Sequence, residues 1–418
     1  MAALLPTGHF LSCLSNDYRR IAALRMREEH GAPHAGGQTA GPAITIDLGG
    51  LKDMKKYLLA GTALAGFVAF GGQAFAQAEP VTLTLSGNVD FQMGVGTEDN
   101  EIAGGRDRDY DANTDGEIVF NFDGVADNGL GYGGEIEFDG VTSDGVGIDE
   151  IFGYISGGWG EVRLGDKEGP VANFSQAAPV AGDGIWDGGF GTYITGTTPN
   201  TGGFDADLGD VTTIHYLTPN FNGFQAGVAF APTDTAGAGG PEDLTDSAGV
   251  GSGPANAGNP NHENYFSGAA AYGGDFGNVS LSINAGIGFA EYVANNADDD
   301  DYMNANVGVN VGFGGFTVGG SWVGVLETAG GVEDTNNFTF GVGYGMGAWN
   351  VALSGIYSMS DLEGGGENED ITFGAGADYA LAEGLSVYAD IVYFDADRPG
   401  GANDNDGIVG LAGVDFNF

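Results

Sequence analysis

Basic residues are scarce in this chain: 12 Lys and Arg stand against 58 Asp and Glu in 418 residues, a formal net charge of −46. Nucleic acid, which is gripped through its phosphates by Lys and Arg, is thereby excluded as a partner. Cysteine occurs once, at Cys13, so no internal disulfide can staple the fold. Beyond Gln77 no stretch approaches the ~20 consecutive apolar residues that a membrane helix needs. Disorder is excluded too, because 42% of residues are hydrophobic and 11% aromatic. Catalysis finds no footing. Ser, His and Asp are scattered without a nucleophile motif, and the 5 histidines show no metal-ligand spacing.

What the chain has instead is alternation. Val81, Leu83, Leu85, Val89, Phe91 and Met93 oppose Thr82, Thr84, Ser86, Asn88, Asp90 and Gln92, and Val279 to Phe289 repeats the pattern. Period two puts the apolar set on one face of a strand and the polar set on the other. Sixteen such runs begin near Val81, Glu117, Tyr132, Asp149, Gly160, Val211, Gly223, Asn264, Asn278, Met303, Phe316, Asn337, Trp349, Asp370, Gly384 and Gly407. At about 8 to 14 residues they suit a tilted strand crossing a bilayer better than the mode of about 5 to 6 in soluble sheets. Short turns such as Gly157-Gly158-Trp159 and Gly345-Met346-Gly347 alternate with long acidic loops. Glycine, the commonest residue at 80, falls in turns and within alternating runs, without collagen triplets. With helices excluded, a closed all-β transmembrane antiparallel barrel is the one membrane-spanning architecture left, and an even strand number brings both ends to the same side. Aromatic residues near strand ends, among them Phe138, Trp159, Tyr216, Phe224, Trp322, Tyr344, Trp349 and Tyr379, are expected to form the two interfacial girdles, and Phe91 is grouped with them.

The ends of the chain agree. Met54-Lys55-Lys56 leads into the apolar run Tyr57 to Phe70 and then to Ala74-Phe75-Ala76. Basic start, short apolar stretch and A-x-A site predict a secretory signal peptide over 54–76, with the mature barrel over 77–418. Residues 1–53, which hold Cys13 and Arg19, Arg20, Arg25 and Arg27, are unlike the rest and read as an upstream artefact or an extended leader. At the other end Ile408, Ala412, Val414 and Phe416 alternate with Gly413, Asp415 and Asn417 up to Phe418. This terminal aromatic resembles the signal that outer-membrane barrels present to their assembly machinery.

A more specific resemblance lies in the middle of the chain. Gly158-Trp159-Gly160-Glu161-Val162-Arg163-Leu164-Gly165-Asp166 resembles the G-x-V-x-L-G motif that precedes the constriction loop of general porins of Gram-negative bacteria. Thr212 to Phe224, containing Tyr216-Leu217-Thr218-Pro219-Asn220-Phe221-Asn222-Gly223-Phe224, resembles the Y-x-S-P-x-F-x-G-F strand-turn-strand of the same family, alphaproteobacterial porins above all. The resemblance implies a homotrimer of barrels of about sixteen strands, each with a long third external loop, here Asp166–Asp210, folded inward. It implies an outer-membrane location among lipid and lipopolysaccharide, and passive diffusion of small hydrophilic solutes. It further implies wall bases facing loop acids at a constriction: Arg163 and Lys167 on the wall, Asp183, Asp187, Asp205 and Asp207 on the loop. Here the chain departs from the family, because the wall lacks an arginine cluster.

By parity Asp90, Glu117, Glu135, Glu137, Glu161, Asp378 and Asp390 face the lumen, as does His215, whose plainer role is a hydrogen-bonded wall residue. A negatively lined lumen enriches cations and disfavours anions. The competing reading, a substrate-selective channel, needs an aromatic slide, and inward aromatics such as Tyr388 and Phe394 are too few for one. No cofactor is expected. Asp111-Ala112-Asn113-Thr114-Asp115-Gly116 opens like a calcium loop, but position twelve is Phe122 where a bidentate Glu is required. Acidic loop runs such as Glu98-Asp99-Asn100-Glu101 and Asp298 to Asp301 read as solvated, with loose Ca2+ binding as the alternative.

Overall fold

A computed structural model of the chain describes residues 79–100, 109–142, 145–182, 185, 189–202, 209–233, 262–292, 302–327, 332–401 and 403–418. The predicted leader and signal peptide lie outside them. Sixteen antiparallel strands follow one another: β1 (Glu79–Glu98), β2 (Tyr110–Val125), β3 (Gly131–Thr142), β4 (Gly145–Gly157), β5 (Gly160–Asp166), β6 (Thr212–Leu217), β7 (Phe224–Thr233) and β8 (His262–Phe276), then β9 (Val279–Tyr292), β10 (Tyr302–Phe313), β11 (Phe316–Glu327), β12 (Val332–Met346), β13 (Trp349–Leu362), β14 (Glu367–Ala382), β15 (Leu385–Asp397) and β16 (Asn405–Asn417). Each pairs with its neighbours in sequence, and β1 pairs with β16, so the sheet closes on itself. Closure leaves no edge with unpaired amides, which is the condition for a sheet in lipid.

The alternation sorts side chains as expected. Val81, Leu83, Leu85, Val89, Phe91, Met93 and Val95 of β1 are exposed on the outside, while Gln92, Gly94 and Gly96 between them are buried. Leu353 of β13 is 61% exposed and flanked on the outer face by Val342 and Ala375. Arginine there would enter hydrocarbon, and Leu353→Arg is expected to destabilise the barrel by about 2–4 kcal/mol, read as a lowered urea midpoint in lipid.

Tight turns close the hairpins at one end. In Phe221-Asn222-Gly223-Phe224 both central residues have positive φ, 53° and 94°, the conformation that matches the twist of paired strands and that Asn and Gly adopt most readily. Rings collect at this end: Trp159 stacks on Tyr216 at 6.3 Å, Phe316 meets Tyr344 at 4.4 Å, and Trp349 meets Tyr379 at 4.7 Å. A second set, including Phe120 with Phe138 and Phe340 with Phe373, lies further along the strands.

Three expectations need correction. β2 begins at Tyr110, not near Glu117, because Asp111 to Gly116 are extended and paired with β1, Asp111 opposite Gly94 and Asp115 opposite Asp90. The calcium-like hexapeptide is therefore strand. β12 likewise starts at Val332, ahead of Asn337. Phe91 lies in mid-strand, away from either girdle. In the first two cases polar residues continue a barrel strand beyond its apolar part, where hydropathy gives no signal.

Candidate functional site

β5 carries the first expected wall residues. Leu164 points outward and is exposed, so Glu161 and Arg163 share the inner face. Arg163 Nε donates to Glu161 Oε1 at 2.6 Å, and its guanidinium lies 5.5 Å from the centre of the Phe152 ring. Lys167 is paired with Glu150 and lies 5.6 Å from the same ring. His215 sits opposite Arg163 across the β5–β6 pair, is 1% exposed and shares a hydrogen bond with the Thr213 hydroxyl. Both bases stand on the inner wall, each already tied to a carboxylate.

Between β5 and β6 the chain leaves the sheet. Its first part contains a short helix, α1 (Pro170–Asn173), with proline at the start where a missing N–H does no harm. Side chains from the inner face of the barrel bind the carbonyls that follow. Asn306 Nδ2 donates to Val171 O at 2.9 Å, Asn310 Nδ2 to Ala177 O at 2.9 Å, and Ser354 Oγ to Pro179 O at 2.7 Å. Ala178 N donates to Thr339 Oγ1 at 3.3 Å, and Gly182 N to Asp378 Oδ2 at 3.2 Å. Amide and hydroxyl side chains suit irregular backbone, because they can donate to a carbonyl or accept from an N–H. Asp390 lies under this segment at 4% exposure, and a Cβ on Gly182 would fall 2.1 Å from its Oδ1. Asp390 and His215 thus face inward without being open to the lumen.

The later part, Ile185 and residues 189–198, has an apolar seat. Ile185, Phe190, Tyr193 and Ile194 are buried in one cluster with Ile356, Tyr388, Val392, Phe394, Val409 and Leu411. Phe190 and Phe394 are 5.9 Å apart. Alternation alone did not reveal this patch. Its signal is the loss of alternation in Ile391-Val392-Tyr393-Phe394 and Ile408-Val409-Gly410-Leu411, where strands are apolar on both faces. Asp183, Asp187, Asp205 and Asp207, the expected loop acids, lie outside the described residues.

Acids dominate the inner wall on the other side. Asp90 is directly opposite both Asp415 and Asp115, so three carboxylates form a row across β16, β1 and β2. Next to this row Glu117 accepts from Asn88 Nδ2 at 3.4 Å. Glu135, Glu137 and Glu150 follow on β3 and β4, with carboxylate oxygens within 4.8 Å of one another and Lys167 beside them. Asp210, at the end of the segment before β6, accepts the Glu168 N–H at 3.0 Å, and burial, with Asp149 nearby, raises its pKa.

Two further residues escaped the sequence reading. Arg398 pairs with Asp370 at 2.7 Å and donates to Thr198 O at 3.3 Å. Glu98, expected in a solvated acidic run, is the last residue of β1 and accepts from Thr195 and Gly196. Nothing local distinguishes Glu98 from its acidic neighbours, since its partners Thr195 and Gly196 are about a hundred residues away and Asn405 about three hundred. Of the two acidic runs, Glu101 and Asp298 to Asp301 lie outside the described residues.

No curated protein matches the chain. Among solved structures it resembles the outer membrane channel DcaP of Acinetobacter baumannii, at 15% identity, with 83% of this chain and 99% of that one covered and a TM-score of 0.54. It also resembles the anion-selective porin of Comamonas acidovorans, at 18% identity, 81% and 100% coverage and a TM-score of 0.52. For the trimer form of OmpT of Vibrio cholerae the figures are 11%, 81% and 100%, and 0.53. Likeness at these identities speaks for the fold. The family model for Gram-negative porins matches residues 60–399, most of the chain and nearly every strand. Closed sixteen-stranded barrel, apolar exterior and that match together settle the matter: the chain belongs to the Gram-negative porins, outer-membrane channels and not enzymes.

Proposed function

We propose that this porin passes small hydrophilic solutes by passive diffusion and prefers cations. Asp90, Asp115 and Asp415, adjacent on the inner wall, carry the reading. Of the bases among the described residues, Arg163, Lys167 and Arg398 are each paired with a carboxylate and add little counter-field. A lumen with fixed negative charge on low-dielectric walls concentrates cations and repels anions.

In this reading the third loop folds into the barrel and narrows it, supported by the hydrogen bonds from Asn306, Asn310 and Ser354 to its described residues. Those bonds fasten the first part of the loop to β10–β13, and in this reading the ions run along the acidic wall of β2–β4 and past the row of Asp90, Asp115 and Asp415. Arg163, Lys167, Asp183, Asp187, Asp205 and Asp207 remain candidates for the constriction, and Glu117, Glu135, Glu137, Glu161 and Asp378 for its lining. An aromatic slide for a specific substrate is disfavoured, because Tyr388 and Phe394 are buried against the loop. The working unit is a homotrimer in lipid and lipopolysaccharide, a state named for the OmpT relative. Phe418, exposed and paired through its backbone with Gly87, serves as the signal to the assembly machinery.

Planar-bilayer recording across a KCl gradient tests this. Ohmic insertions in groups of three equal steps, with a reversal potential of cation-selective sign, are expected. A folded barrel that does not conduct, or an anion-selective sign, would overturn it.

A further inference from the structure

Glu98 stands where three pieces of chain meet. Its Oε1 accepts the Thr195 N–H at 2.6 Å and the Thr195 hydroxyl at 2.7 Å, and its Oε2 accepts the Gly196 N–H at 2.7 Å and Asn405 Nδ2 at 2.9 Å. Four donors on one carboxylate, two of them successive backbone amides, form a charge-assisted clasp that a solvated rim residue would not have. Asn405, 1% exposed, extends it by donating to Thr197 O at 3.1 Å and accepting the Asn100 N–H at 3.1 Å.

The rest of β1 is shaped for the same segment. Gly94 and Gly96 are the two inward positions before Glu98. A Cβ on Gly94 would fall 2.6 Å from the Tyr193 ring, and one on Gly96 would fall 2.4 Å from Tyr193 O. Three successive inward positions thus receive Tyr193, Thr195 and Gly196: two by having no side chain, the third by supplying the acceptor. Of the runs through this loop, only this one is gripped by an ionised group through its own backbone N–H groups on both carboxylate oxygens among the described residues.

We propose that Glu98 is a positioning residue that locks the return limb of the third loop, residues 189–198, against β1 and β16 and so holds the channel's narrowest section at a constant width. The proposal rests on the reading that this loop narrows the channel. Glu98→Gln would turn one oxygen into an NH2 group facing two donors, the Gly196 N–H and the Asn405 amide. Gly196→Ala leaves every barrel residue intact but wedges the clasp, since the new Cβ would lie 2.8 Å from Glu98 Oε2 and 2.4 Å from Asn100 O.

The test is single-channel recording of the protein purified from outer membranes, wild type beside both variants, with heat-modifiable gel mobility as the check of barrel folding. Weakening charged hydrogen bonds of this kind is expected to raise the frequency of transient conductance steps about tenfold or more. The sign of the ion selectivity is expected to stay, because the acidic wall is untouched. Folded variants as quiet as wild type would overturn the role of Glu98. If Glu98→Gln yields no folded barrel, Gly196→Ala decides alone. A wild-type protein that conducts nothing would instead overturn the channel reading beneath the proposal.

Discussion

Asparagine at Asp90, Asp115 and Asp415 is expected to remove most of the channel's preference for cations. The three carboxylates are mutually opposite on β1, β2 and β16, so one passing ion feels all of them. A carboxylate roughly 7 Å from an ion is worth about 0.6 kcal/mol at the dielectric of water. Three such charges attract a cation and repel an anion by about 2 kcal/mol each before screening, and low-dielectric walls focus the field further. Salt at 0.1 M, with its Debye length of about 10 Å, reduces this without abolishing it. A drop in the cation-to-anion permeability ratio of roughly tenfold remains, read as a reversal potential near zero. The difference between wild type and variant should fade at about 1 M salt, where the Debye length is about 3 Å. Asparagine keeps the shape and an acceptor for the Tyr388 hydroxyl, which donates to Asp90 Oδ2 at 2.7 Å. An unchanged reversal potential would locate the selecting charges elsewhere.

Phe190→Ala is expected to free the third loop while leaving the barrel standing. Phe190 is fully buried, against Phe394, Tyr193 and Ile194 among others, on an inner-wall patch of β13, β15 and β16. Emptying such a site costs about 3–5 kcal/mol. That cost falls on the loop's attachment, because every strand keeps its two hydrogen-bonded neighbours. Larger single-channel conductance and faster uptake of bulky sugars into liposomes are therefore expected, with barrel melting unchanged. Unaltered conductance and size limit would mean that the loop is held without this seat or does not narrow the pore.

The division between what was legible in the chain and what was not follows the range of each signal. Sixteen strands could be read because alternation is local: Val279 to Phe289 shows its outer face without reference to any other segment. Strand starts failed only where the strand runs past its apolar part, as at Tyr110 and Val332. Parity also set the inward direction of Glu117, Glu161 and Asp378. It did not tell which inward residues meet solvent, and Asp390 and His215 proved buried.

Composition and periodicity by themselves determined a closed membrane barrel with a negatively charged interior, since a helix-free apolar alternation has no other way to satisfy its backbone in lipid. Only the folded chain decided which partners the inward side chains take. Asn306, Asn310, Thr339 and Ser354 became the bed of the third loop, Glu98 and Arg398 its fasteners, and Asp90, Asp115 and Asp415 a single row. Apart from Asp90 and Asp115, on adjacent strands, those pairings join residues 97 to more than 300 positions apart, as Glu98 to Thr195 and Asp90 to Asp415. Strand register and barrel closure create such neighbours, and neither leaves a mark in the local sequence.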